Sequence, residues 1–501
     1  MLRLLFTSKT VVEGSGIISG GLAVLLLVAN AARADDTHYR SVPIGAHAIA
    51  LGGAFAGVAD DASAAFYNPG GLSLGGAHGL AGGLTINDWD RLKVDRAFQN
   101  PDSVSDATTK TGRTIPVFIG AALKFGPTDA LQRKKFALAL SVVEPNSSRN
   151  GASIKLEPDT AELTDTYQFG ASDRSTWYGL SFASRIDSKQ SVGGSLYLAQ
   201  RNLNHSEVGL ALGGGMPVST DPTVLVGTST AADKANLSFK AYHFVLRFGW
   251  LYRIKPQVRV GVMLQPPGIP LKQRANVTSQ GFVNDNRDPN TPVTTEAYFY
   301  DDKVQANLPI PMELRGGLQY WPAEKVMLAV DAMFYSPVRS GQRAKVPQSA
   351  STNLTGLFFD NNTARRAIGN VAIGGDFFIS KKVMIETGFF TDFSSAINIP
   401  ANPDQYYNPQ INRYAGTVSI GLNVAGVALA VGSTFLYGTG PATGAIVDAN
   451  NLGVGYIRTE ASSRSIFLHI TGATQAVAQI GDKTAKSVQS RRGKQEPEQE
   501  E

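Results

Sequence analysis

The amino-acid sequence predicts an all-β chain, a transmembrane antiparallel β-barrel of about fourteen strands. Three observations carry that expectation: an export signal at the start, hydrophobic alternation of period two along most of the chain, and connections that alternate between short and long.

The leader comes first. The stretch "MLRLLFTSK" carries Arg3 and Lys9, an apolar run follows from Ile17 to Ala29, and Ala32-Arg33-Ala34 supplies a small-x-small cleavage pattern. Residues 1–34 therefore read as a signal peptide, with the mature, exported chain starting at Asp35. The apolar run is shorter than the ~20 residues a spanning helix needs, which argues against a retained anchor. Composition agrees with a destination in lipid. Only 17% of residues are charged, against about a quarter in soluble domains. There is no cysteine, so burial and backbone pairing must hold the exported chain together. The net charge of +5 is modest and partly sits in "RRGK" at 491–494, which gives no reason to expect a nucleic-acid partner.

Strands are read from alternation. From Ala241 to Ile254, Tyr242, Phe244, Leu246, Phe248, Trp250, Tyr252 and Ile254 fall on one face, and Ala241, His243, Val245, Arg247, Gly249, Leu251 and Arg253 on the other. Strands of soluble proteins usually stop at about five or six residues, whereas a tilted strand crossing a bilayer needs about nine to eleven. The same grammar recurs near 77–88, 114–124, 135–144, 175–186, 190–201, 241–253, 257–265, 312–320, 325–334, 370–379, 382–391, 414–423, 427–435 and 464–470. An even number of strands suits a bacterial barrel whose ends lie on one side of the membrane.

Connections give independent support. Tight turns are expected at 186–190, 253–257, 321–325, 379–382 and 423–426. Long polar loops are expected at 145–174, 202–240, 266–311, 335–369, 392–413 and 436–463. Short periplasmic turns and long extracellular loops are the asymmetry of transmembrane barrels, and closure leaves no strand edge for lipid to satisfy.

Between leader and first strand lies "SVPIGAHAIALGGAFAGVADDASAAFYNPGGLSL", too short for a domain and too apolar for a tail. It resembles the N-terminal hatch of the FadL family of outer-membrane long-chain fatty acid and hydrocarbon transporters. Gly53, Ala54, Phe55 and Gly57 match that family's Gly-x-Ala-Phe/Tyr-x-Gly run, Asp60 and Asp61 its acidic step, and Asn68-Pro69 its Asn-Pro-Ala turn. Gly70 stands where the family usually has Ala. The hairpins Leu308 to Val338 and Arg247 to Pro267 are similar to the family's repeated strand-turn-strand units, and the resemblance runs from about 40 to about 472. The domain layout expected is therefore signal peptide 1–34, hatch 35–76, barrel 77–472, and a disordered periplasmic tail 473–501 rich in Lys, Arg, Gln and Glu. A plugged lumen marks a selective device rather than a general pore.

The resemblance implies an outer-membrane transporter in a Gram-negative cell. A hydrophobic small molecule, a fatty acid or hydrocarbon, is captured by extracellular loops and enters an apolar lumen. It then leaves sideways into outer-membrane lipid once the hatch shifts. Phe55, Asp60, Asp61, Phe66, Tyr67, Asn68, Pro69 and Gly70 are the hatch and gating candidates. The apolar stretch Val208 to Val218, with Leu210, Leu212 and Met216, reads as a surface capture loop or as a short loop helix packed on its neighbours. Lumen-facing Arg247 and Arg315 are candidates for a carboxylate head group, or for pairing with lumen acids such as Glu313, Asp331, Asp376 and Glu386. No enzyme is expected, because none of the six histidines sits in a catalytic motif. No metal or cofactor is expected either, with no cysteine and no histidine pair at ligand spacing. The chain reads as a monomer; the rival reading is a structural or adhesive barrel that binds a partner through its long loops.

Overall fold

The computed structural model describes residues 37–474 apart from 41, 76–78, 100–102, 129–133, 157–162, 214–215, 219–220, 227–228, 286–292, 347–358, 425–426 and 449–452. The expected signal peptide and the tail beyond 474 lie outside the described residues.

Strands account for most of the chain. They are β1 (Gly79–Gln99), β2 (Val104–Thr128), β3 (Lys134–Leu156), β4 (Leu163–Arg185), β5 (Gln190–Gly213), β6 (Met216–Val218), β7 (Asp221–Val226), β8 (Ser229–Lys255) and β9 (Val258–Gln265). The second half holds β10 (Ile269–Asp285), β11 (Val293–Gln305), β12 (Glu313–Ala323), β13 (Val326–Tyr335), β14 (Ile368–Phe378), β15 (Val383–Asp392), β16 (Asn412–Val424), β17 (Val427–Asp448) and β18 (Gly453–Thr474). Three one-turn helices precede them: α1 (His47–Ala50), α2 (Ala64–Tyr67) and α3 (Gly71–Leu74).

The wall closes. Hydrogen-bonded neighbours run β8-β5-β4-β3-β2-β1-β18-β17-β16-β15-β14-β13-β12-β9, and β9 pairs back with β8, a ring of fourteen antiparallel strands. All fourteen segments read from alternation are strands of this ring. β9 and β10 are two halves of one wall strand along β8, with Leu264 opposite Phe248 and Ile269 opposite Phe244. The break between them is Pro266-Pro267-Gly268, since proline cannot donate to a ladder. β10 then pairs with β11, which extends the wall beyond the ring, and β6 and β7 form a separate hairpin.

The long loops are corrected here. Much of 145–174, 202–240, 266–311 and 436–463 is strand, because the ladders continue past the segment where one face is apolar: β3 and β4 pair as far as Leu156 with Asp165, and β17 and β18 as far as Asp448 with Gly453. Backbone pairing needs no hydrophobic alternation, so these halves carried no period-two signal. The stretch 392–413 is mostly irregular, as are the described residues of 335–369.

The wall is apolar outside and polar inside. In β12, Glu313, Arg315, Gly317 and Gln319 are buried, while Leu314, Leu318 and Tyr320 are exposed. Leu140, Leu180, Leu196, Phe248, Ile373 and Val431 likewise stand on the outer face. So continuous an apolar surface is stable against lipid and not against water.

Candidate functional site: a lumen cavity against the N-terminal segment

Residues 42–74 run inside the ring, and nearly all are fully buried. Gly, Ala and short turns let irregular backbone fit there, but every buried N–H and C=O must find a partner. Inward-facing wall side chains supply many of them. Asp331 accepts from the N–H groups of Phe55 (3.0 Å) and Ala56 (2.9 Å). Ser195 Oγ donates to Ala65 O at 2.7 Å, Ser191 Oγ to Gly70 O at 2.6 Å, and Arg315 Nη1 to Gly53 O at 3.0 Å.

Asn68 is the junction. Its Nδ2 donates to Ala56 O at 2.8 Å within the segment and to Trp250 O at 3.0 Å on the wall, and its Oδ1 accepts from Gly70 N at 3.2 Å. This Asx turn carries the chain from α2 into α3. Gly70 presses on the wall. A β-carbon there would lie 3.0 Å from both Gly249 O and Ser191 O, which accounts for glycine where alanine was expected. At Gly261 on β9 a β-carbon would stand 1.9 Å from Ala56 O, so the wall is notched to admit the segment.

A cavity of roughly 100 Å³ lies between this segment and the wall. Phe66, Trp177, Tyr335, Leu308 and Ile310 give it apolar and aromatic surface. Phe66 and Trp177 sit 5.9 Å apart, ring centre to ring centre. Its polar side is basic. Five arginines line it (Arg40, Arg201, Arg247, Arg343 and Arg365) against one carboxylate, Glu313. Arg201 is balanced by Asp173 at 2.6 Å, and Arg343 and Arg365 share Asp360 at about 4 Å. Glu313 alone takes both Arg40, through a fork at 2.6 and 2.8 Å, and Arg247 at 3.0 Å.

Arg247 also donates to Phe66 O and, at 2.6 Å, to Gln265 Oε1, while its guanidinium lies 3.8 Å from the centre of the Phe66 ring. Even so, Arg40 Nη1 and Arg247 Nε have no hydrogen-bond partner in this structure. Burial works against the charge on Arg40, but Glu313 together with Tyr335 and Tyr67 outweighs it and the guanidinium stays firmly protonated. Burial pushes the Tyr67 phenol to about 12, so its hydroxyl stays neutral and accepts from Ile44 N at 2.9 Å.

The candidates from sequence are placed as follows. Arg247 and Arg315 both face the lumen and both pair with acids. Arg315 bonds Asp331 at 3.1 Å and Glu313 at 3.3 Å. Only Arg247 of the two borders the cavity. Phe66 borders it as well. Phe55, Tyr67, Asn68, Pro69 and Gly70 lie in the buried segment, with Asp60 and Asp61 buried at its acidic step. The described residues of 208–218 are strand, neither loop nor loop helix. β5 carries the stretch to Gly213 between β4 and β8, with Leu210 opposite Thr166 and Ala232, because partners on both sides satisfy its backbone. The side chains of Leu212 and Met216 lie outside what the structure describes. Arg40, Trp177 and Tyr335 were missed: Arg40 precedes any motif, and the two aromatics look like ordinary strand residues.

No family model matches the chain, and no curated protein sequence does. Solved structures do. The chain is similar to the toluene transporter TodX of Pseudomonas putida, at 13% identity and a TM-score of 0.52, over 87% of this chain and 99% of that one. It is also similar to a Pseudomonas aeruginosa FadL homologue, at 12% identity and a TM-score of 0.50, over the same shares of each chain. At such identity the likeness establishes the fold.

Proposed function

Starting from the FadL-type barrel fold that this chain shares, we propose that it is an outer-membrane transporter of a Gram-negative cell. It takes up hydrophobic compounds, long-chain fatty acids ahead of neutral hydrocarbons. The N-terminal segment acts as a hatch, and its movement releases substrate.

The observation that carries this reading is the cavity's two-sidedness. Aromatic and aliphatic side chains offer the first carbons of an alkyl chain a place out of water, and a longer chain needs the room that movement of the segment would open. Arg40 and Arg247 share one carboxylate and keep unpartnered N–H groups, so a second carboxylate would complete their pairing. A neutral hydrocarbon would leave those donors unpartnered. The guanidinium groups of Arg40 and Arg247 both lie against the ring of Phe66, a residue of the segment, so binding there would couple head-group pairing to hatch position.

Exit is sideways in this reading. β2 and β3 pair only between Phe118–Val143 and Thr128–Lys134, and the ladder of β3 with β4 is itself broken between Val143 and Asn146, around Pro145. Pro145 and Asn146 border the cavity. A bound alkyl chain would thus reach lipid through a wall already unladdered there, without crossing water.

Uptake of radiolabelled oleate by cells whose own fatty acid carriers are deleted tests the proposal. Saturable uptake is expected with the wild-type chain, falling about tenfold or more in Arg40→Met and Arg247→Met, one lost charge-assisted pair being worth roughly 1.5–3 kcal/mol. Toluene uptake should change little. Oleate uptake no higher than in empty cells would end the fatty acid reading.

A further inference from the structure

A second cluster lies away from the cavity, where α1 meets β14 and β15. His47 places Nε2 3.0 Å from Asp376 Oδ2 and 3.9 Å from Glu386 Oε1, and the donor atoms of these three residues all fall within 4.8 Å of one another. Ligand atoms around a tetrahedral zinc ion, with bonds of about 2.0–2.2 Å, stand roughly 3.4 Å apart. The three side chains already bracket that spacing. All are buried.

Two further observations point to a cation. The first is an uncompensated acid. Glu386 is 1% exposed, and its Oε2 has no hydrogen-bond partner, nor does Asp376 Oδ1. Asp60 and Asp61 add two more buried carboxylates, while the cations facing the group are His47 itself and Arg259, which is near Asp60 and donates to Val58 O. Four acids face two cations, and fully ionised they would leave net negative charge out of water, which is costly unless an acid is protonated, paired or bound to metal.

The second observation is the outer partner. His47 Nδ1 lies 3.0 Å from Asp60 Oδ1, the carboxylate–histidine arrangement that fixes a metal-ligating imidazole with its far nitrogen forward. Asp61 in turn accepts from His47 N at 3.1 Å and from Ser63, which anchors α1. We propose that His47, Asp376 and Glu386 form a divalent transition-metal site, zinc being the first candidate, that ties the N-terminal segment to the wall. The ion would sit between Nε2 and Asp376, and binding would release any proton held between them. This site stands apart from the transport reading.

The test uses the full mature chain purified in detergent and stripped with EDTA. Titration with zinc chloride by calorimetry is expected to show one saturable equivalent per chain, and zinc to raise the thermal midpoint. Glu386→Gln, which keeps shape and removes the charge, should weaken zinc binding by about ten- to a hundredfold, and Asp376→Asn likewise. Heat-modifiable migration on a gel reports whether each variant is folded. Should neither fold, X-ray absorption at the zinc edge of the wild-type protein decides, with one imidazole and carboxylate oxygens expected around the ion. No saturable binding, binding undiminished in a folded Glu386→Gln, or an edge spectrum without imidazole would overturn the site.

Discussion

Asn68→Ala is the sharpest perturbation of the N-terminal segment. The substitution removes three hydrogen bonds from a fully buried residue: those to Ala56 O, to Trp250 O and from Gly70 N. At about 1 kcal/mol net for each, one bond to the wall and two within the segment, the folded and docked state of the segment should weaken by about 3 kcal/mol against its local unfolding. With about 1.4 kcal/mol per factor of ten, the undocked population rises roughly a hundredfold. The barrel itself should be untouched, because no ladder bond involves the Asn68 side chain. Hydrogen exchange followed by mass spectrometry reads this directly. Amides of the segment, such as Ala59 (bonded to Phe55 O) and Asn68 (bonded to Ala64 O), should exchange about a hundredfold faster, with those of β12 to β16 unchanged. Equal exchange in the segment would refute the role given to Asn68. Faster exchange throughout the wall would show that segment and barrel unfold as one unit.

Two other outcomes are expected. Gly261→Ala puts a β-carbon into Ala56 O, so the segment must retreat at a cost of about 1–3 kcal/mol, read as a lower thermal midpoint and higher conductance in planar bilayers; unchanged values would mean the notch is not needed. Leu140→Arg places a charge on the outer face of β3, and urea unfolding from vesicles should show a loss of about 2–4 kcal/mol. A change near zero would place Leu140 away from the bilayer centre.

What sequence reveals here follows from where physics forces a pattern. Between lipid and lumen, each residue of a strand has a different solvent on each face, so β12 and β13 alternate and were found to within about three residues. Away from that band both faces are polar, and the outer half of β4, "LTDTYQFGASDR", is held by pairing with β3 and β5 rather than by any pattern of its own. The site divides in the same way. Alternation was enough to turn Arg247 and Arg315 inward, but not to say that Glu313 would hold Arg40 and Arg247 together across 273 and 66 residues of chain. His47 and Asp376 are 329 residues apart, a distance at which ligand spacing has no meaning in sequence. The expectation of no metal site rested on such spacing. Phe66 to Gly70 were legible as a motif, but not the wall carbonyls and serines that receive them.

The central claim is that the lumen cavity against the N-terminal segment holds a fatty acid. Its most direct test is a crystal structure of the detergent-extracted protein with a long-chain fatty acid brominated at its terminal carbon. An anomalous bromine peak is expected inside the ring within an alkyl chain's length of Phe66 and Trp177, with carboxylate density beside Arg40 and Arg247. Bromine peaks confined to the apolar outer face, with the arginines still paired to Glu313 alone, would contradict it.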